Sequence, residues 1–518
     1  MEDARLLSSD ESDAPLPPPE LLKKKPWIVL CVLIFLLVAI IDIGAFLAEA
    51  PKTRVYEANL CVRYYEKHDR SVIRKDGTVP EKLCKVNEIQ QDMAMIVGWQ
   101  GLFESIPSII LAVPFGTLAD KHGRKWVFVA SLVGLQLNSA WVLMICYFRS
   151  LPLQLTWVGS VFFIIGGGPI VASAVGLTMV ADIVPPDKRT AIFLYLTASV
   201  LLAELIAPIM AASLMKRGDW IPLILALAIQ LVGVLIGVAF PETLHLRDLP
   251  EPKDDDAESD IELRPTKNGS AFAFKTQLRH FQEAFRFLRR DFTLALVIFT
   301  FMANRVGRQG LSMLLQYASK RYGWAIRDAA YLTSFRAATS LVALTIFIPL
   351  LNLVLLRCLR LPAHWADLWI ARGSLALTTF AFVVIGIAAH PVLLIIGILI
   401  FNLGTGSHAA MRSISIHLVG GQSSPDVGRL FSVIAIMESI GAMVAGPLLA
   451  KIFDWGLDLG EPWIGLPYIV SAVVFGVCTF ITFVISVKSD DSTTVAYTGL
   501  PNDEEGSVDG AAPRRHND

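Results

Sequence analysis

Along this chain of 518 residues, hydrophobic positions do not alternate with polar ones as in a half-buried strand. They gather into long, nearly unbroken runs separated by short polar stretches. A helix of about 20 apolar residues crosses the ~30 Å of hydrocarbon in a bilayer. Twelve runs reach that length: 27–48, 93–115, 126–148, 155–181, 190–214, 220–240, 292–316, 329–356, 367–389, 391–417, 429–453 and 463–487. Between the sixth and the seventh lies the charged, proline-containing stretch 245–268, with Asp254-Asp255-Asp256 and Glu258. The pattern predicts an all-α membrane protein, twelve transmembrane helices in two six-helix bundles related by duplication. The first bundle covers 27–244, with an extracytoplasmic loop at 49–92. A cytoplasmic linker covers 245–290, and the second bundle covers 291–487. Residues 1–26 and 488–518 read as disordered cytoplasmic tails. Ala48-Glu49-Ala50 resembles a signal-cleavage site, but the run before it is long and contains Asp42, so an uncleaved first helix is expected. In the linker, Leu278, Phe281, Phe285 and Leu288 stand at helical spacing among basic residues. They fit an interfacial amphipathic helix or a simple connector to the seventh span.

Composition agrees: 54% of residues are hydrophobic and 18% charged, against about 25% charged in soluble domains. The net charge of −1 argues against nucleic acid as a partner. Lys121, Arg124, Lys125, Lys188, Arg189, Arg357, Arg360 and Arg429 all fall on one side of the predicted topology, which makes that side, and both termini, cytoplasmic. Lys320, Arg321 and Arg327 fall on the other side and break the rule. Cys61 and Cys84 share the polar loop 49–92. In an oxidising compartment they are expected to form a disulfide, two free thiols being the alternative.

The second and third spans are joined by Gly116-Thr-Leu-Ala-Asp120-Lys-His-Gly123-Arg124-Lys125. Its two glycines permit a tight reversal. Asp120 can accept hydrogen bonds at a helix start, and the basic residues hold the turn on the cytoplasmic side. With a long apolar run on each side, this stretch resembles the loop between helices 2 and 3 of major facilitator superfamily transporters. The resemblance covers residues 27–487 and implies alternating access, two bundles rocking about a central site. It assigns a gating role to Gly116, Asp120, Gly123 and Arg124, the turn clamping the outward-open state. Asp182, at the end of the fourth span, is the expected and breakable ion-pair partner of Arg124. The span 5 Gly-Pro pair typical of antiporters reads Ala207-Pro208 here, while Gly446-Pro447 is intact in span 11. Asn59-Leu-Cys-Val-Arg63, Cys84-Lys-Val-Asn-Glu88 and Leu315-Gln-Tyr-Ala-Ser-Lys320 resemble a fungal subfamily distantly similar to the proton-coupled folate transporter family. That resemblance implies efflux of secondary metabolites.

Ionisable groups within membrane spans are costly and mark function by default. Asp42, Glu104, Glu204 and Glu438 are the candidate proton-coupling carboxylates, with Glu104 and Glu204 foremost. Arg305, Arg308 and Arg336 are the candidate substrate-binding cations, suited to an anionic group. The competing reading is that these charges lock the bundles as fixed salt bridges. Tyr195, Asn304, Gln309 and Gln316 are candidate hydrogen-bonding residues, and Arg372 and Arg412 are expected to snorkel to the interface. Gly166-Gly167-Gly168-Pro169 lies inside an apolar span and lacks the Lys-Ser/Thr of a phosphate loop, so small-residue helix packing explains it. No cofactor, metal or enzymatic activity is expected.

These readings converge on a monomeric secondary transporter in a lipid bilayer, moving a small molecule outward with protons as the coupling ion. Proton-coupled uptake of an organic anion is the alternative, and a non-transporting membrane receptor is an alternative of another class. The plasma membrane is the expected location. A dileucine-like Glu2…Leu6-Leu7 leaves the vacuolar membrane open.

Overall fold

The computed structural model describes residues 27–185, 188–246, 292–358, 363–419 and 427–484. The readings made for the two tails, most of the linker and its amphipathic helix fall outside these residues. The first bundle contains α1 (Trp27–His68), α2 (Asn87–His122), α3 (Arg124–Tyr147), a 3₁₀ segment (Leu153–Ile165) continued by α4 (Gly168–Ile183), α5 (Arg189–Met215) and α6 (Trp220–Ala239). The second contains α7 (Phe292–Ser312), α8 (Leu314–Tyr322), α9 (Ile326–Val342), α10 (Ile348–Leu353), α11 (Ala363–Ile387), α12 (Pro391–Leu403), α13 (Ser407–Leu418), α14 (Val427–Leu459) and α15 (Leu466–Val484).

Among the described residues, eleven helical stretches are long and apolar enough to cross a membrane. α7 is not one of them, because Asn304, Arg305, Arg308 and Gln309 interrupt its apolar run. With α7 the crossings number twelve, six in each bundle.

The largest departure from the sequence reading is at 49–92. Most of that stretch is not loop. α1 continues to His68 and α2 already begins at Asn87, leaving 69–86 between them with two short 3₁₀ turns. At ~1.5 Å per residue, the 42 residues of α1 extend about twice the hydrocarbon thickness. The polar composition of 49–68 conceals a helical stripe: Val55, Tyr56, Asn59, Leu60 and Val62 are buried, several of them against Ile89 and Met93 of α2.

The turn at 116–125 is also tighter than expected. Residues 116–122 remain helical, and Gly116 has open space where a Cβ would stand. The reversal falls on Gly123 alone, at φ +114°. In the fourth crossing, Gly167 and Gly168 adopt positive φ and turn the 3₁₀ segment into α4.

Of the two ends of the molecule, the Gly123 turn marks one and the loop 69–86 the other; they are called here the turn face and the loop face. The bundles meet at the loop face. One apolar core joins Ala50, Ala94, Ala212 and Met215 of the first bundle to Leu311, Tyr317, Ala329 and Phe453 of the second. α2 packs along α14, and α5 along α9. The α2–α14 crossing is so close that a Cβ on Gly98 would stand 2.6 Å from Ala450 Cβ and 2.8 Å from the Gly446 carbonyl oxygen.

Candidate functional site

Between the bundles lies a cavity of about 1160 Å³. Every helix of the first bundle contributes to its wall, and so do α7, α9, α12 and α13 of the second. On α3 the lining reaches Phe128, one helical turn from Arg124. The cavity therefore extends close to the turn face, while the loop face is packed shut.

Asp42, Glu104 and Glu204 line the first-bundle wall, and Arg308 and Arg336 the second-bundle wall. Glu104 accepts hydrogen bonds from Gln100 Nε2 at 2.8 Å and Asn138 Nδ2 at 3.3 Å. Glu204 is buried on α5 and pairs with Arg336 of α9. This ion pair connects the two bundles at the cavity wall. Arg308 is exposed to the cavity and forms no hydrogen bond or ion pair with any described residue. A guanidinium with five donors and no acceptor among the described residues is suited to a solute's anionic or carbonyl oxygens.

Arg305 and Glu438 are not among the lining residues. Glu438, on α14, accepts from Arg305 Nη2 of α7 at 2.9 Å and lies 2.8 Å from His408 Nε2 of α13. The Arg305–Glu438–His408 contacts thus tie three helices of one bundle. His408 itself reaches the cavity. Of the candidate hydrogen-bonding residues, Asn304 lines the cavity. Gln316 instead donates to Gln90 O at 2.7 Å near the loop face, and Tyr195 is 64% exposed. Arg372 donates to the Thr482 carbonyl oxygen and lies over the Phe483 ring, and Arg412 lies over Phe431.

At the turn face, Arg124 and Asp182 form a buried ion pair, Nη1 to Oδ2 2.7 Å, and Arg124 Nη2 also reaches Asp120 at 3.3 Å. All three residues belong to the first bundle. The pair is intact while the loop face is shut. Glu242, in the Pro241-Glu242-Thr243-Leu244 stretch after α6, completes this corner. Its carboxylate accepts from the backbone N–H of Arg124 at 2.9 Å and of Lys125 at 3.2 Å, capping the start of α3. A Cβ at residue 123 would meet Glu242 Oε2 at 2.5 Å, so a larger residue there would displace the capping carboxylate. Partial burial raises the Glu242 carboxyl. The backbone N–H groups of Leu244, Arg124, Thr243 and Lys125 outweigh it and hold the group below the usual glutamate range.

Three groups of residues escaped the sequence reading. Glu49 and Lys52 line the cavity, from a segment read as loop. Glu57, Glu81 and Lys85 form a charged cluster near the loop face. Glu242 lies just past the sixth apolar run, 220–240, and carried no assigned role. Reading 49–68 as helix would have placed Arg54 and Glu57 at i,i+3 spacing and exposed the first part of that cluster. Cys61 and Cys84 are bonded to each other, with Cα atoms 5.3 Å apart. The basic residues that broke the topological rule have partners: Arg321 Nη2 is 3.3 Å from Glu461, Arg327 Nε 3.2 Å from Asp328, and Lys320 donates to the Lys85 carbonyl oxygen.

Two bundles that close on one face around a chamber with opposed charges, joined at the chamber wall by an ion pair, have the architecture of a membrane carrier. Residues 87–424 match the model of the Major Facilitator Superfamily, and the chain belongs to that family of transporters. It is 36% identical over 449 residues to the MFS efflux pump atnC of Emericella nidulans, covering 86% of this chain and 85% of that one. It is 28% identical over 442 residues to the efflux pump ustT of Aspergillus flavus, covering 84% of each. Among solved structures, the nucleoside transporter NupG superposes with a TM-score of 0.56 at 12% identity, over 87% of this chain and 99% of that one. A POT family transporter in complex with 5-aminolevulinic acid gives 0.56 at 15% identity, over 88% and 95%. These two likenesses concern the fold alone.

Proposed function

We propose that this protein is a proton-driven exporter of a small organic molecule bearing an anionic or hydrogen-bond-accepting group, acting as a monomer in the plasma membrane. The observation that carries the reading is the Glu204–Arg336 pair. It spans the bundles at the wall of the chamber, and one proton on Glu204 removes the attraction. The basic turn is taken as cytoplasmic. The state described here, shut on the loop face, is then the inward-facing state in which an exporter loads its solute.

In this scheme Glu204 releases its proton to the cytoplasm and pairs with Arg336, while the solute's acceptor group loads onto Arg308. Once the bundles rock, a proton from the outer side neutralises Glu204 and frees Arg336, the solute is released outward, and the proton is carried inward as the carrier returns. Efflux as the direction is supported by the names of the two relatives, both efflux pumps. The cavity-facing guanidinium of Arg308 also suits uptake of an organic anion, which is the second reading.

The test is proton flux in proteoliposomes carrying a pH gradient, wild type against Glu204→Gln, over a panel of organic anions and apolar metabolites. Export predicts proton movement opposite to the solute's and dependent on it, lost in Glu204→Gln. Co-directional movement replaces export with uptake. Solute-dependent proton movement that persists unchanged in the variant removes Glu204 from the proton path.

A further inference from the structure

The loop face is held by more than apolar packing. The short turn Glu81–Cys84, followed by Lys85, belongs to the first bundle, yet its polar atoms reach the second. Lys85 Nζ donates to Ser319 Oγ of α8 at 2.6 Å, and on its own side to Glu57 Oε1 at 2.6 Å and Glu81 Oε1 at 3.4 Å. An ammonium has three donors, and all three are used. Glu57 is fully buried. It also accepts from Arg54 at 3.1 Å and Gln90 at 2.8 Å, so Lys85 and Arg54 together balance its buried charge. Glu81 Oε1 accepts from the backbone N–H of Ile326 at 2.7 Å. Ile326 is the first residue of α9, so a carboxylate of one bundle caps the helix start of the other. Lys320 Nζ returns a bond to the Lys85 carbonyl oxygen.

A five-residue turn in a loop has little structure of its own to hold these atoms in register. Here the neighbouring residue does it: Cys84 is bonded to Cys61 of α1, and both are fully buried. Cys61 lies one helical turn from Glu57, the anchor of Lys85. We infer that the turn 81–85, pinned to α1 by the Cys61–Cys84 disulfide, is a latch whose Glu81 and Lys85 clasp α8 and α9 and hold the loop face shut. When that face opens, the α8 and α9 contacts separate while the disulfide and the Glu57–Lys85 pair remain, so the latch stays loaded for the next closure. Ordering the turn in advance lowers the entropy lost at each closure.

The latch is a statement about the distance between bundles and does not depend on what is transported or in which direction. It is tested on the full chain in lipid nanodiscs. Spin labels attached through non-cysteine chemistry at Lys216, just after α5, and Val392, at the start of α12, report the separation of the loop-face helix ends. Wild type is expected to show mainly the short distance. Lys85→Met and Glu81→Gln are each expected to raise the ratio of long to short distances at least about tenfold, the lower end for losing a hydrogen bond to a charged group. Lys75→Met, on the exposed part of the same loop, should leave it unchanged. Cys61→Ser/Cys84→Ser should act like Lys85→Met. If that double variant does not fold, wild-type protein treated with a dithiol after assembly supplies the same comparison, with loss of the disulfide confirmed by mass mapping. Distance distributions identical to wild type in Lys85→Met and Glu81→Gln overturn the latch. A shift in those two with none on breaking the disulfide overturns the role given to the pin.

Discussion

Replacing Gly98 with alanine adds one methyl group where two bundles touch, and its effect follows from the geometry of the α2–α14 crossing. The new Cβ would lie 2.6 Å from Ala450 Cβ, where ordinary contact begins at 3.4 Å, so it is about 0.8 Å (3.4 − 2.6) too close. The Gly446 carbonyl oxygen, at 2.8 Å, is a second obstacle. Neither is the end of a flexible side chain, so no rotamer change relieves the clash. The helices must move apart, and since α2 and α14 belong to different bundles, that motion opens the loop face. Overpacking of this kind costs about 1–3 kcal/mol, and a bias of that size changes a two-state ratio about 5- to 150-fold. Gly98→Ala is therefore expected to enrich the state open at the loop face and to slow transport, because each cycle must close that face. Gly101, three residues further along α2 with nothing within 4 Å of its would-be Cβ, is the control: Gly101→Ala should change neither. The inter-bundle distance and the transport rate in liposomes are the two measurements. Wild-type values of both in Gly98→Ala would falsify the account of the loop face as a tightly closed contact.

Three further outcomes follow from the same geometry. Glu242→Gln removes the charged cap of α3 and should lower stability by about 1 kcal/mol at neutral pH. Because the folded carboxyl lies below its ordinary value of 4.5, the cap's contribution is complete above that pH and is lost as pH falls through the lowered value. The gap between wild-type and variant melting temperatures should accordingly narrow only below about pH 4.5, and a constant gap from pH 7 to 3 would refute the role of the charge. Glu438→Gln leaves Arg305 without its anion. Since Arg305 is 38% exposed, a loss of about 1–2 kcal/mol is expected, below the 3–5 of a fully buried pair. The apolar double variant Arg305→Met/Glu438→Leu should recover most of it in thermal melts, and failure to recover would point to a role for Glu438 outside the pair. Asp182→Asn, which breaks the buried bridge to Arg124, should cost about 3–5 kcal/mol, and the charge-swapped Arg124→Asp/Asp182→Arg should regain part of it. No regained stability in the swap would show that other partners hold these two side chains.

The helix content and the number of crossings were legible in the sequence, because a bilayer imposes a length and an apolarity that composition alone reveals. The predicted runs at 126–148, 190–214 and 220–240 lie within a residue or two of α3, α5 and α6. The same criterion is blind where a helix leaves the hydrocarbon. Residues 49–68 are polar enough to read as loop, yet they form the outer turns of α1, since most of residues 50–62 are buried by neighbours that hydropathy does not see. The signal weakens where a helix faces a polar chamber, as α7 does, although its run at 292–316 still reads as a span.

Charge tells a similar story. The sequence by itself determined which ionisable residues lie within membrane spans, because such groups stand out against an apolar run. Only the tertiary structure decided their pairing. Asp42, Glu104, Glu204, Arg308 and Arg336 converge on one chamber, Arg305 and Glu438 close on each other behind it, and Arg308 is left facing the cavity. A span fixes how deep a side chain lies, but the rotation of its helix and the identity of the facing helix come from packing between elements more than a hundred residues apart in the chain. Local pattern carries no record of that packing.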